Sequence, residues 1–194
     1  MSYFRIALIT LFFSLISVAN AHTFDAEGFL GDKMQVKLEP KYSSGNLIGI
    51  DIYELWPDAE IGHAVIAKRS YYRFDTQQAI EDREWYHAAG FLSDSVIEIE
   101  HKYESQNWSI TADLAAKLDR AAKLVADPKP SIEDLRKVYE AFRVSPFSVK
   151  AGQKDREGER RFKWLAGQQI IGEAEFSLTR SPKYGNRFVA KFHN

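Results

Sequence analysis

The sequence predicts an α+β fold in which amphipathic helices cover one face of an antiparallel sheet. Apolar and polar residues alternate in several short segments, which is typical of strands with one buried face. Two segments within residues 110–143 carry apolar residues at helical spacing. The chain has 13 Phe, nine Tyr and four Trp but no Cys, so we expect a packed core, rather than disulfides, to hold the fold together.

The first 21 residues have the pattern of a secretory signal peptide. Arg5 precedes an apolar run from Ile6 to Val18, and Ala19-Asn20-Ala21 is a small-x-small cleavage motif. Cleavage after Ala21 leaves residues 22–194, a length of 173 that suits a single domain. We therefore expect an exported, soluble protein, periplasmic or secreted, without a membrane span.

The first half of the mature chain predicts a hairpin, a third strand and a helix. Lys33 to Glu39 alternates, Leu47 to Leu55 is rich in Ile, and the turn residues 43–46 separate them. Residues 62–74 fit a strand or a helix, and their Val, Ile and Tyr content favours a strand. Asp75 as N-cap, Gln78 as its capping-box partner and Gly90 as a C′ residue predict a helix over 75–89.

The second half predicts a strand at 95–103, a helical hairpin at about 110–143 and a return to strands. The first helix carries the apolar stripe Ile110, Leu114, Leu118, Ala121 and Val125, and the second carries Ile132, Leu135, Val138 and Phe142. Asp127-Pro128-Lys129-Pro130 separates these two helices. Short or alternating strands are expected at 146–150, 162–166, 174–179 and 188–192, with a charged loop at 151–160.

Charge is distributed unevenly along the chain. Residues 150–194 contain ten Lys and Arg against five Asp and Glu, whereas residues 22–149 contain 15 against 22. This basic final part either recruits an anionic partner or faces the acidic part of the same molecule. The excess of basic over acidic residues in 150–194 is too small to predict nucleic-acid binding.

The densest charge run is Lys154 to Lys163, with the sequence KDREGERRFK. Arg side chains suit the forked recognition of carboxylates or phosphates, and an adjacent Trp adds apolar area. The run is therefore either a solvated loop or a partner-binding site. In the second interpretation the binding residues are Arg156, Arg160, Arg161, Lys163 and Trp164.

Cleavage after Ala21 would make His22 the first residue of the mature chain. A terminal His can chelate copper through its amine and imidazole when a second His completes the site. In this one residue the chain resembles exported copper proteins with a histidine brace, such as lytic polysaccharide monooxygenases and small copper carriers. That resemblance implies a copper ion held by His22 together with His63 or His87.

Two pairs of residues that include carboxylates suggest metal binding or catalysis. Glu84 and His87 would share one side of the helix expected at 75–89, as metal ligands or as a simple surface pair. Glu98 and Glu100 share one face of an expected strand and could serve a glycoside hydrolase, although alternating Glu residues are commoner on a solvated strand face.

The sequence lacks the familiar nucleophile, zinc-protease, phosphate-loop and dinucleotide motifs, and it assigns no catalytic residue. The leading prediction is a non-enzymatic binding protein of the cell envelope without a cofactor. Its partner would be another protein, in an inhibitor, immunity-type or accessory role. A copper-binding protein or copper enzyme using His22, and a hydrolase of envelope polymers, are the alternatives.

Overall fold

The computed structural model describes residues 21–28, 30–62, 64–74, 78–93, 96–109, 111–143, 152–165, 168–171, 174–183 and 185–193. Along these residues the elements are β1 (His22–Glu27), β2 (Lys33–Ser43), β3 (Asn46–Leu55), β4 (Ala64–Arg73), β5 (Gln78–Ser93), β6 (Val96–Ser109), α1 (Ala112–Ala126), α2 (Ile132–Arg143), β7 (Gly152–Leu165), β8 (Gln168–Ile171), β9 (Ala174–Ser181) and β10 (Gly185–Phe192). No helix in this part of the chain is long and apolar enough to cross a membrane.

The expected α+β class, a sheet with one face covered by helices, is wrong, because the described chain is mostly antiparallel β structure. Strands β1 to β7 form one sheet in which neighbours along the chain are also neighbours in space. Strands β8 to β10 form a second sheet in the order β10-β9-β8. The two short helices lie against the first strands of the large sheet and do not form a layer over it.

The large sheet buries apolar side chains on both of its faces. On the helix face, β2 and β3 pack against α1 and α2, in a core that includes Val36, Leu38, Ile50, Ile52, Leu118, Val125, Leu135 and Phe142. On the opposite, small-sheet face, β9 and β10 cover other strands, in a core that includes Leu55, Ala67, Ile97, Ile99, Phe176 and Phe188. The helices thus cover one face of the large sheet and the small sheet covers the other.

The hairpin and the strand expected in the first half of the chain are confirmed. Ser44 and Gly45 connect β2 to β3 with φ angles of 49° and 79°, and Ser43 pairs with Asn46. Two successive residues with positive φ are typical of a type I′ turn, whose twist matches that of the strands it joins. Residues 64–73 form β4, as the Val, Ile and Tyr content of 62–74 indicates.

The helix expected over 75–89 is instead strand β5, which pairs with β4 on one side and β6 on the other. Residues 75–77 lie outside the described part of the chain. Gly90 has a φ of 128° at a break in the β5–β6 register, so its freedom serves a bulge rather than a helix end. Pairing with the strands on both sides of it in the sheet overrides the local capping pattern of this segment.

The charged loop expected at 151–160 is also wrong, since Gly152–Leu165 is the long strand β7. It pairs with β6 from Val96 to Trp108. The strands expected at 174–179 and 188–192 are confirmed as β9 and β10. The strand expected at 146–150 lies outside the described residues.

Candidate functional site

The five basic and aromatic residues expected to bind a partner all lie on β7. Because side chains alternate along a strand, Arg160 lies on the small-sheet face, opposite His101, whereas Arg161 and Lys163 lie on the helix face, opposite Glu100 and Glu98. The side chains of Arg156 and Trp164 lie outside the described part. The strand therefore divides the expected patch between two faces.

The basic residues of β7 also differ in their ion pairs. Arg161 contacts Glu100 at 2.9 Å and Glu98 at 3.7 Å. The two carboxylates that suggested a hydrolase therefore share one guanidinium. Arg160 is exposed and lies over the ring of Tyr103, 5.9 Å from its centroid. Neither Arg160 nor Lys163 forms an ion pair with another described residue.

The histidines considered for copper do not converge in the described part. His22 donates from Nε2 to the carbonyl of Val125 at 2.9 Å, beside the end of α1. His87 lies on β5, and β2, β3 and β4 separate it from His22 on β1. Four strand spacings amount to about 19 Å. His63 lies outside the described residues, and the described residues contain no group of three His, Cys, Asp or Glu suited to a metal.

The expected pairing of Glu84 with His87 is wrong. Both residues lie on β5, a strand, and a separation of three places them on opposite faces. Glu84 lies instead on the small-sheet face beside Tyr86 and His101, whereas His87 lies opposite Glu100 on the other face.

A cavity of about 600 Å³ opens between the β1–β2 turn, the β3–β4 connection and the end of α2. We call it the hairpin cavity. It is lined by Gly28, Leu30, Asp32, Lys33, Met34, Glu54, Trp56, Pro57, Asp58, Ala59, Ala64, Val65 and Arg143. Its size and its largely apolar wall are typical of binding pockets. None of the sequence patterns described above predicts this cavity.

The rim of the cavity is formed by the β1–β2 turn, which carries the most exposed large apolar side chain of the described chain. The backbone N–H of Gly28 donates to the carbonyl of Asp32 at 2.8 Å, and Gly31 adopts a φ of 78°. Leu30 at the tip is 95% exposed. An apolar residue between two turn glycines was the sequence signal that could have indicated this surface.

Polar groups in the cavity wall are engaged with other parts of the protein. The Trp56 indole N–H donates to Asp32. Glu54 accepts a hydrogen bond from the Tyr139 hydroxyl at 2.6 Å and contacts Lys68 at 2.9 Å. Burial raises the pKa of Tyr139 above its usual range, and nearby Glu54 adds to the shift, so the phenol remains a proton donor. These contacts hold Asp32, Glu54 and Trp56 in place within the wall, whereas Lys33 and Asp58 on the same wall are exposed.

A buried polar network lies on the other face of the sheet. Asp51 is fully buried and accepts two hydrogen bonds from Arg69, at 2.9 Å from Nε and 2.7 Å from Nη2. The Tyr53 hydroxyl donates to the same carboxylate at 3.1 Å, and the Lys41 ammonium lies 3.3 Å from it. Arg69 also reaches Glu84 at 3.6 Å, which joins β3, β4 and β5 through charged groups.

His101 completes this network on β6. Its ring stacks on Tyr86 at 4.6 Å, and its Nε2 lies 3.9 Å from a carboxylate oxygen of Glu84 without a hydrogen-bond partner among the described residues. Burial lowers the pKa of His101, Glu84 opposes that shift, and Arg160 adds to it. The effect of burial exceeds the attraction of the carboxylate, so the folded protein binds a proton at His101 less readily than the unfolded chain does.

We expect His101 to make the protein less stable in mild acid. An unfolded His takes up a proton as pH falls through about 6.5, whereas the folded pKa is lower, so the unfolded state then binds more protons. The contribution of neutral His101 to the free energy of unfolding is fully present above about pH 6.5. It decreases as the pH is lowered from there, by at most about 1.4 kcal/mol per pH unit. Urea unfolding between pH 7.5 and 5 should show a shallower decline for His101→Phe. Parallel curves for the two proteins would refute this assignment.

Comparison with protein-family models, with curated protein sequences and with solved structures finds no match for this chain.

Proposed function

We propose that this chain is an exported, non-enzymatic protein that binds another protein of the cell envelope through the hairpin cavity. One observation carries the proposal: a 95% exposed Leu30 stands at the rim of an apolar cavity of about 600 Å³. Exposed apolar surface rimmed by polar groups is typical of docking sites. Export rests on the signal-like residues 1–21.

The position of Leu30 favours a protein partner over a small molecule. A small ligand within the cavity would contact Met34, Trp56 and Val65 in its wall, but would leave most of a turn-tip side chain in water. Fully burying a Leu side chain stabilises a complex by about 1.5–3 kcal/mol. Only a partner that extends beyond the cavity covers the tip and the wall together.

Two carboxylates of the cavity wall, Asp32 and Glu54, support binding rather than catalysis. Asp32 accepts from Trp56, and Glu54 is held by Tyr139 and Lys68. A catalytic acid or base needs an atom that reaches the substrate, and these carboxylates are directed to internal partners. A binding role of this kind suits an inhibitor, an immunity-type protein or an accessory subunit.

A photo-crosslinking amino acid placed at Leu30 tests the proposal in the mature protein. Ile132 is the matched control position, since it is also an exposed large apolar residue, 58% exposed, at the start of α2. With envelope extract of the host, we expect one defined crosslinked protein from position 30 and none from position 132. Equal crosslinking at both positions, or none at either, would contradict the proposal.

Substitution gives the corresponding affinity measurement once that protein is purified. We expect Leu30→Ser to weaken the complex at least tenfold, because about 1.4 kcal/mol or more of apolar contact is lost. Ile132→Ser should leave the dissociation constant unchanged. Both side chains are exposed, so neither substitution should change the free energy of unfolding by more than about 0.5 kcal/mol, as urea unfolding would verify.

A further inference from the structure

Strand β7 is the last strand of the large sheet in the part of the chain that the structure describes, and it pairs there with β6 alone. An edge strand offers backbone N–H and C=O groups to a further strand. β7 is also long, from Gly152 to Leu165. Its length and its position provide a template for strand addition that is separate from the hairpin cavity.

Three charges on β7 have no ionic partner among the described residues. Arg160, Lys163 and Glu159 are exposed and form no ion pair there, although Glu159 is directly opposite Lys102 and Lys163 directly opposite Glu98. By contrast, Arg161 on the same strand is paired with Glu98 and Glu100. Along the strand, the unpaired charges therefore follow the order negative, positive, positive, at Glu159, Arg160 and Lys163.

Between Arg160 and Lys163, strand β7 also carries an apolar residue, Phe162. Phe162 is partly buried and packs against the core of the small-sheet face, on the same face as Arg160. A strand lying beside β7 would place a side chain against Phe162 on that face. An apolar, β-branched residue at that point would extend the core.

We propose that β7 accepts an extended segment of another protein as an additional antiparallel strand. The segment carries acidic residues opposite Arg160 and Lys163, a basic residue opposite Glu159 and an apolar residue opposite Phe162. Read from its N-terminus, this order is acidic, apolar, polar, acidic, basic. Antiparallel addition is the slightly more stable arrangement per residue.

Two synthetic peptides with blocked ends test this pattern: Thr-Glu-Val-Thr-Glu-Lys-Val-Thr and its charge-swapped form Thr-Lys-Val-Thr-Lys-Glu-Val-Thr. Binding to the mature protein is measured by calorimetry at low salt, where charge pairs are least screened. We expect the first peptide to bind with a dissociation constant below about 1 mM. The second should bind about tenfold more weakly, since three cross-strand attractions become repulsions.

A charge-reversed protein provides the decisive comparison. The triple variant Glu159→Lys, Arg160→Glu, Lys163→Glu should prefer the second peptide. Lys129→Glu, in the turn between α1 and α2, changes the net charge of the protein by the same amount and should retain the original preference. Leu30→Ser should leave peptide binding unchanged, so failure at β7 is distinguishable from failure at the hairpin cavity.

Hydrogen exchange locates the bound peptide. We expect slower exchange of amides within Gly152–Leu165 when the first peptide is present, because outward N–H groups acquire acceptors. Slower exchange there, together with the reversed preference of the triple variant, supports strand addition. Equal affinity for the two peptides, no binding up to about 1 mM, an unreversed preference or unchanged exchange of β7 would each overturn it.

Discussion

Replacing Asp51 by Asn is expected to lower the free energy of unfolding by about 3 kcal/mol. Asp51 has no exposed surface, and its carboxylate accepts from Arg69 and Tyr53 and contacts Lys41. Asn is nearly the same size but has no charge, and its amide NH₂ would face groups that are themselves donors. The substitution therefore leaves a guanidinium and an ammonium without their shared counter-ion.

The expected loss lies at the lower end of the range of about 3–5 kcal/mol for breaking a buried ion pair. The Arg69 side chain retains 34% exposure, so water can solvate part of the abandoned charge. Urea unfolding at neutral pH measures the change. Asp25→Asn, on the exposed side of β1, is the control and should alter stability by less than about 0.5 kcal/mol. Similar small losses for both variants would show that Asp51 does not stabilise the sheet.

Gly49→Ala is expected to destabilise the protein by about 3 kcal/mol or more, or to prevent folding. Gly49 lies in β3 opposite Arg73, and a Cβ atom there would clash with the carbonyl oxygen of Tyr72. The obstacle is backbone of the neighbouring strand, which cannot rotate away as a side chain can. Tyr72 is itself buried and donates from its hydroxyl to the carbonyl of Phe142 at 3.0 Å, so displacing β4 also disturbs its contact with α2.

Gly45→Ala is the control that separates the steric effect of an added Cβ atom from the effect of replacing a glycine with positive φ. Gly45 has a φ of 79° in the β2–β3 turn, but nothing lies within 4 Å of its added Cβ. That substitution should cost only about 1 kcal/mol, the usual penalty for a side chain in the left-handed region. Chemical unfolding of both variants gives the comparison. Equal losses at the two positions would refute close strand approach as the reason for Gly49.

Local periodicity was sufficient to predict a helix or strand where the segment buries one face against a neighbour close in sequence. The β2–β3 hairpin follows from alternation in β2, the Ile-rich segment of β3 and the turn residues between them, and α1 follows from apolar residues at helical spacing. These patterns arise from side-chain geometry within a few residues, so they can be read without the rest of the chain.

Strand β5 shows where local patterns fail. Glu81 is buried, with Arg83 beside it at a hydrogen-bond distance of 2.7 Å, yet in the sequence these charges look like the exposed face of a helix. Burial of these charges became possible only because β4 and β6 supply partners and backbone hydrogen bonds on both sides of β5. Pairing with β6, from which the two helices separate it in the chain, places the charged run at 152–165 in the large sheet, as its last strand among the described residues.

The sequence alone determined the signal-like first 21 residues, the cysteine-free aromatic supply for a core and the segments with regular local periodicity, because each depends on residues close together in the chain. Only the tertiary structure decided that the helices and the small sheet close opposite faces of one large sheet, that Leu30 stands beside a cavity and that Arg160 and Arg161 lie on different faces. Strand register sets these features, because it joins residues far apart in sequence and fixes the face on which every side chain lies.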